Sequence, residues 1–137
     1  MNPEEKPAHK PHRARVDDKF KIFCGTANQP LADDLPGRAM QLVNVLREFR
    51  GSAHLVAVVA QELEPLVAHY IDRPEMFAGF GYADDEVPEV TNEHRRQLEA
   101  ANALTDRLVA PAYSVLDDAQ ADAVIGGLDA MEEAIRG

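Results

Sequence analysis

The sequence contains little of what stabilises small extracellular domains. Of its 137 residues only Cys24 is a cysteine, none is tryptophan, and 6% are aromatic. A single cysteine excludes an intrachain disulfide and a zinc site built from cysteines. With so few aromatic residues, the core must be filled mainly by Leu, Val, Ala, Ile and Met, which favours packed helices over a β-sandwich. We therefore predict an all-α protein, long enough to bury one core.

Long apolar runs are also missing. The longest run is the six residues 55–60, far short of the roughly 20 residues that span a bilayer. The charged residues at the start of the chain are not followed by the apolar stretch of a signal peptide. We therefore expect a cytoplasmic protein that does not contact a membrane.

Positive charge is scarce after the first residues. Residues 22–137 contain eight Arg, no Lys and twenty Asp or Glu, a net charge of −12. Nucleic acid is bound mainly by Lys and Arg that neutralise phosphates, so this charge disfavours nucleic acid unless the arginines share one face. Residues 1–19 contain three prolines and few apolar side chains before Phe20, which predicts a disordered tail. Residues 20–137 then form a single helical domain.

The first half of this domain shows three helical segments. The stretch Phe20 to Leu31 is a short apolar run that predicts a strand or an extended segment. After a cap at Asp33 or Asp34, apolar residues at three-four spacing predict a helix that ends at Gly51. A second helix begins at Ser52, and a third begins at Glu64-Pro65. Three short helices with tight turns are the layout of a helix-turn-helix core.

The second half consists of a loop and two longer helices. Thr91 is predicted to cap a helix that runs to about Val109, and Asp117 or Asp118 caps the last helix. The loop before them, residues 73–90, should be anchored by its larger side chains, Met76, Phe77, Phe80 and Tyr82. The two long helices present more apolar surface than three short helices can cover, which predicts a homodimer. The predicted dimer interface consists of Val124, Leu128, Met131 and Ile135.

Four polar residues interrupt the apolar pattern of the stretch from Leu46 to Tyr70. In one interpretation Arg47 and Arg50 pair with acidic neighbours such as Glu48, Glu62 or Glu64, and His54 forms a hydrogen bond near the Gly51-Ser52 turn. In the other, the exposed N–H groups of the helix starting at Ser52 bind an anionic small molecule, and the arginines clamp it. The candidate ligand-binding residues are Arg47, Arg50, Ser52, His54 and His69.

Catalysis has weaker support in the sequence. His54 or His69 could serve as a general base, but no nucleophile motif, phosphate-binding loop or metal-binding motif accompanies them. We therefore predict no catalytic residues, no metal and no cofactor. An enzyme that uses His54 or His69 with Arg47 and Arg50 stays open as an alternative.

Two strings carry a resemblance to known proteins. "LREFRGSAHLVAVVA…AHY" and "ALTDRLVAPAYSVLDD" resemble the C-terminal half of a family of actinobacterial proteins described as SalK-like or EvbL-like. The similarity covers about residues 31–135, and its most specific part is L-R-E-x-R-G-x-x-H from Leu46 to His54. The order of the helices is also similar to that of MarR-type regulators, whose terminal helices form a dimer. The resemblance implies a helix-turn-helix-derived regulatory protein.

The chain departs from this family in two places. The N-terminal half of the family has no counterpart, and the position of a winged helix's wing holds "FGYADDEVPEV", which is acidic and lacks strand-like alternation. We therefore favour a non-catalytic, homodimeric module that contacts proteins. The alternatives are a DNA-binding transcriptional regulator, which requires one face for its arginines, and a small-molecule-binding domain or enzyme, which requires a concave site lined by both histidines. The arginines in question are Arg47, Arg50, Arg73, Arg95 and Arg96.

Overall fold

The computed structural model describes residues 21–137, and these residues form helices and turns without a strand. The all-α class is thereby confirmed, whereas the predicted tail over residues 1–19 lies outside the described residues. Residues 21–27 are helical and are named α1. The longer helices are α2 (Leu35–Ala60), α3 (Pro65–Asp72), α4 (Asn92–Tyr113) and α5 (Asp118–Arg136). Three 3₁₀ turns, Pro74–Met76, Ala78–Phe80 and Asp84–Glu86, connect α3 to α4.

The strand or extended segment predicted over Phe20 to Leu31 is wrong, because residues 21–27 are helical. A lone strand would leave its backbone N–H and C=O groups without partners, whereas a helix pairs them internally. The Thr26 hydroxyl donates to the Ile22 carbonyl at 2.8 Å within this helix. The Phe23 ring lies 5.6 Å from the Phe49 ring, so α1 packs on α2.

Helix α2 is one helix of 26 residues, so the predicted break at Gly51 is wrong. It begins as expected, since the Asp34 side chain accepts a hydrogen bond from the Gly37 N–H at 2.7 Å. A glycine inside a helix costs about 1 kcal/mol relative to alanine, and burial of the following residues offsets this cost. Ser52 is buried, and its hydroxyl donates to the Glu48 carbonyl within the helix. Ser52 therefore does not start a helix.

The helix ends instead at a turn formed by residues 61–64. Glu62 adopts the left-handed conformation, with φ at 56°. Its N–H donates to the Val59 carbonyl, and the Leu63 N–H donates to the Val58 carbonyl, the pair of hydrogen bonds of a Schellman motif. Leu63 is almost fully buried. The turn therefore redirects the chain into α3 and places α2 and α3 in a helix-turn-helix arrangement.

Helices α2 and α4 run antiparallel and form the core with α3. His54 of α2 contacts Thr105 of α4, while Val58 clusters with Leu98, nearer the start of α4. The buried residues at this junction are Ala57, Val58, Leu63, Val67, Ala68, Leu98 and Ala101. Thr91 caps α4 as predicted, since its hydroxyl accepts from the His94 N–H.

Helix α4 runs past its predicted end at Val109 to Tyr113 and includes Pro111. Pro111 has no N–H to donate to the carbonyl four residues earlier, and the helix ends two residues after it. In the preceding loop, Phe77 is buried between the rings of Tyr70 and Tyr82, at 5.1 Å and 4.6 Å. Met76 is exposed, so the prediction that it anchors the loop is wrong. Phe80 is also exposed, but its ring contacts His69 of α3.

Helix α5 begins at the predicted cap, where the Asp117 side chain accepts from the Gln120 N–H at 2.8 Å. It has no fully buried residue. A Cβ added at Gly126 or Gly127 would meet no atom within 4 Å, so no close helix crossing occurs at these glycines within the chain. None of the helices described over residues 21–137 is long and apolar enough to cross a membrane.

Candidate functional site

A cavity of about 600 Å³ lies between α2, α3 and α4. It brings together three of the predicted ligand-binding residues, Arg50, His54 and His69, whereas Arg47 and Ser52 do not line it. The concave site that a small-molecule-binding domain requires is therefore present. Its wall consists of Arg50, Gly51, His54, Leu55, Val58, Pro65, Ala68, His69, Asp72, Arg73 and Asn102.

His54 is held in one orientation by α4. Its Nδ1 atom lies 3.0 Å from Thr105 Oγ1, and the Thr105 hydroxyl donates to the Ala101 carbonyl at 2.7 Å. Because this hydroxyl has only one proton, it must accept from His54 Nδ1–H. The neutral imidazole therefore carries its proton on Nδ1 and leaves a lone pair on Nε2. Thr105 is fully buried, and its polar side chain on the apolar stripe of α4 is the sequence signal that could have predicted this contact.

The surroundings of His54 favour its neutral form. Burial and the Arg50 guanidinium lower the pKa of His54 below 6.5, and Asp72 partly opposes this effect. The imidazole is therefore neutral at neutral pH. In this state Nε2 can accept a hydrogen bond from a ligand or receive a proton.

His69 contributes a second imidazole to the cavity wall. Its Nε2 atom is buried and has no hydrogen-bond partner among the described residues. The ring contacts Phe80 edge-on, with 4.8 Å between centroids. A buried polar atom without a partner costs about 1–3 kcal/mol. This nitrogen would gain from an additional partner, but it is buried within the protein and does not face the open cavity.

The arginines confirm part of the predicted ion pairing. Arg47 pairs with Glu48 at 3.3 Å, as expected. Arg50 instead pairs with Asp106 of α4 at 3.7 Å, because the unbroken α2 packs along α4. His54 likewise contacts α4 and not the residues around Gly51. The exposed N–H groups predicted at Ser52 are absent, because these amides lie inside α2.

The second helix of the helix-turn-helix arrangement carries no positive side chain. Residues 65–72 of α3 include neither Lys nor Arg, and Glu62, Glu64 and Asp72 lie in or beside this helix. A recognition helix inserted into the major groove normally contacts bases and phosphates with cationic or amide side chains. The surface of α3 does not offer them.

The arginines are also distributed over different parts of the molecule. Arg95 and Arg96 lie at the start of α4, which packs near the end of α2. Arg47 and Arg50 lie ten or more residues before that end, about 15 Å away along the helix axis. Arg73 lies at the end of α3 and lines the same cavity as Arg50.

A second concave surface, the α2–α5 groove, has a volume of about 390 Å³. Its walls are Val43, Leu46, Arg47, Arg50, Gly51, Tyr113, Val124 and Leu128. Leu46, which lines this groove, is 36% exposed, because α5 does not close over it. The predicted interface residues Val124, Leu128 and Ile135 are also exposed, and Met131 is half-buried.

Comparison with known proteins gives one match. No curated protein and no solved structure is significantly similar to the chain. Residues 21–81 match the model of a family described as a helix-turn-helix family. The match spans α1, α2, the turn at Glu62, α3 and the first two 3₁₀ turns. Residues 21–81 therefore form a domain of the helix-turn-helix type.

Proposed function

We propose that residues 20–137 form a single helix-turn-helix-derived regulatory domain that acts as a homodimer through protein contacts, without catalysis. The observation that carries this proposal is the exposed apolar surface of the α2–α5 groove. Apolar side chains from α2, the end of α4 and α5 meet at this surface, and no described residue covers it. Contiguous apolar patches on a protein surface commonly mark interaction sites.

The second copy of the chain is the simplest partner for this surface. Val124, Leu128 and Ile135 are 38%, 41% and 75% exposed and fall on one side of α5, so a two-fold axis can bring this side against its own copy. Leu46 of α2 lines the same groove and is 36% exposed, so the patch continues from α5 onto α2, and a stable interface buries roughly 800 Å² per partner. The resemblance to MarR-type regulators and to SalK-like or EvbL-like proteins supports the same use of the terminal helices.

The charge of the domain supports protein contacts over DNA contacts. The helix that would face DNA is α3, which lacks Lys and Arg and is flanked by carboxylates. Neutralisation of phosphates by cations supplies most of the nonspecific affinity for DNA. A domain with net charge −12 over residues 22–137 lacks this contribution. The helix-turn-helix family match nevertheless makes a DNA-binding regulator the second candidate.

The dimer is tested by a charge placed at the centre of the proposed interface. Leu128→Glu should dissociate the dimer, because its carboxylate would lose water on association. Ala130→Glu adds the same charge to the opposite side of α5, about 200° away, and should leave the dimer intact. Light scattering measures the mass of both variants and of the native chain, and circular dichroism measures their helix content.

Two results would contradict the proposal. The first is a native chain that stays monomeric at about 200 µM, a concentration at which even weak dimers form. The second is equal dimerisation of both variants, which would place the interface elsewhere. Since Leu128 is 41% exposed in the single chain, Leu128→Glu should retain its fold. If the variant lost helix content instead, Leu128 would belong to the core of the single chain.

A further inference from the structure

The cavity between α2, α3 and α4 is lined by apolar side chains together with charged and polar groups. Leu55, Val58 and Ala68 supply apolar wall, while Arg50 and Arg73 supply two guanidinium groups. Small-molecule sites typically have this composition and volumes of about 300–1,000 Å³. At about 600 Å³, the cavity has room for a molecule of one or two rings.

From these groups we infer that the cavity binds a small organic anion that also carries a hydrogen-bond donor. Arg50 and Arg73 interact with the anionic group, His54 Nε2 accepts from the donor, and the apolar wall contacts the body of the ligand. The site lies within one chain and does not depend on the proposed dimer.

The charge of the wall favours an anion. Arg50 and Arg73 contribute two positive charges and Asp72 one negative charge, so the formal charges of these three residues sum to +1. The pair between Arg50 and Asp106 is 3.7 Å long, and both side chains are more than half exposed. Such pairs contribute at most about 1 kcal/mol, so the Arg50 guanidinium is available to a ligand.

The donor requirement follows from the orientation of His54. Because Nδ1–H donates to Thr105, Nε2 can act only as an acceptor in the neutral ring. The hydrogen bond to the buried Thr105 holds this lone pair in position before a ligand arrives, which reduces the entropy lost on binding.

The test uses indole-3-carboxylate, a flat apolar anion with an N–H donor. Titration is followed by the amide signals of the ¹⁵N-labelled full chain, with an expected Kd on the order of 1 mM for a ligand of this size. Indole-3-carboxamide lacks the charge and 1-methylindole-3-carboxylate lacks the donor. Each should bind about fivefold more weakly, the ratio that corresponds to one modest polar interaction.

Variants locate the site. Arg50→Gln should weaken the binding of indole-3-carboxylate but not that of indole-3-carboxamide. His54→Asn should weaken the binding of indole-3-carboxylate but not that of 1-methylindole-3-carboxylate. The Asn amide can still donate to Thr105, so this variant removes Nε2 while retaining the contact that positions residue 54. Arg96→Gln is the matched control, since Arg96 pairs with Glu93 outside the cavity and should leave binding unchanged.

Three results would overturn the inference. The first is that the amide signals of the cavity residues do not shift at about 10 mM indole-3-carboxylate, a concentration well above the expected Kd. The second is that all three compounds bind equally well. The third is that the shifts are confined to residues of the α2–α5 groove. Leu128→Glu should bind the ligand like the native chain, so a failure of the dimer proposal and a failure of this inference give different results.

Discussion

Replacing Thr105 by Val removes the hydroxyl that orients His54 while keeping the shape of the side chain. In the native chain this hydroxyl accepts from His54 Nδ1–H at 3.0 Å and donates to the Ala101 carbonyl at 2.7 Å. In Thr105→Val the His54 N–H loses its partner in a half-buried position. A fully buried donor without a partner costs about 1–3 kcal/mol, and partial access of water to His54 places the expected loss near 1 kcal/mol.

Thr105→Ser is the matched control, because it keeps the hydroxyl and removes one buried methyl group. Its expected cost is also about 1 kcal/mol, so the free energy of unfolding alone does not separate the variants. The pKa of His54 does separate them. An acceptor on Nδ1–H stabilises the charged ring more than the neutral ring, so the already lowered pKa of His54 should fall further in Thr105→Val and stay unchanged in Thr105→Ser.

NMR titration of the imidazole signals measures this pKa, and the ¹⁵N shifts of the ring identify the protonated nitrogen. Urea unfolding gives the loss of stability. The reasoning would be refuted if the native ring carried its proton on Nε2, or if Thr105→Val left both the pKa and the free energy of unfolding unchanged.

Two further predictions concern the turn and the pH response. Glu62→Gly should raise the free energy of unfolding by about 0.5–1 kcal/mol, because glycine adopts the left-handed conformation without strain. Glu62→Ala is the control, and equal urea midpoints for the two variants would rule out relief of backbone strain as the cause. Since the folded-state pKa of His54 is below 6.5, the imidazole binds a proton more readily in the unfolded chain. The contribution of His54 to stability is therefore complete above pH 6.5 and is lost as the pH falls through the folded pKa. Burial lowers the pKa of His54 most, Arg50 lowers it further, and Asp72 opposes both effects. Urea unfolding across this pH range should show a smaller loss of stability in His54→Asn than in the native chain, and identical losses would disprove the assignment.

Local signals in the sequence predicted three helix starts, although the start predicted at Ser52 is wrong. Asp34, Thr91 and Asp117 each cap a helix with the side-chain hydrogen bond expected of that residue type. Each cap depends on residues within three positions, so the sequence alone contains the information. The all-α class follows from composition in the same way.

Helix ends and burial were harder to predict, because they depend on distant contacts. Gly51 was expected to end a helix, but packing of α2 along α4 carries the helix through it, and the end occurs at Glu62, a residue type that seldom adopts the left-handed conformation. Leu42 and Leu46 recur at the spacing of a buried stripe, whereas both are exposed and Leu46 lines an open groove. Periodicity identifies an apolar face but does not identify what covers it.

The candidate site was predicted only in part for the same reason. Arg50, His54 and His69 were singled out as polar residues in an apolar pattern, and the fold brings them to one cavity. Their contacts with Thr105 and Asp106 of α4 join residues more than 50 positions apart, and no local pattern indicates which turns of two helices meet.

The proposed function is tested most directly by sedimentation velocity of the native chain, alone and with an excess of fragmented duplex DNA from its source genome. The measurement should be made at about 150 mM salt, because low salt exaggerates electrostatic binding. We predict a species of about 30 kDa, twice the 15.1 kDa of one chain, that sediments separately from the DNA. A 15.1 kDa monomer at high micromolar concentration would contradict the dimer, and co-sedimentation with the DNA would show that this helix-turn-helix domain binds nucleic acid.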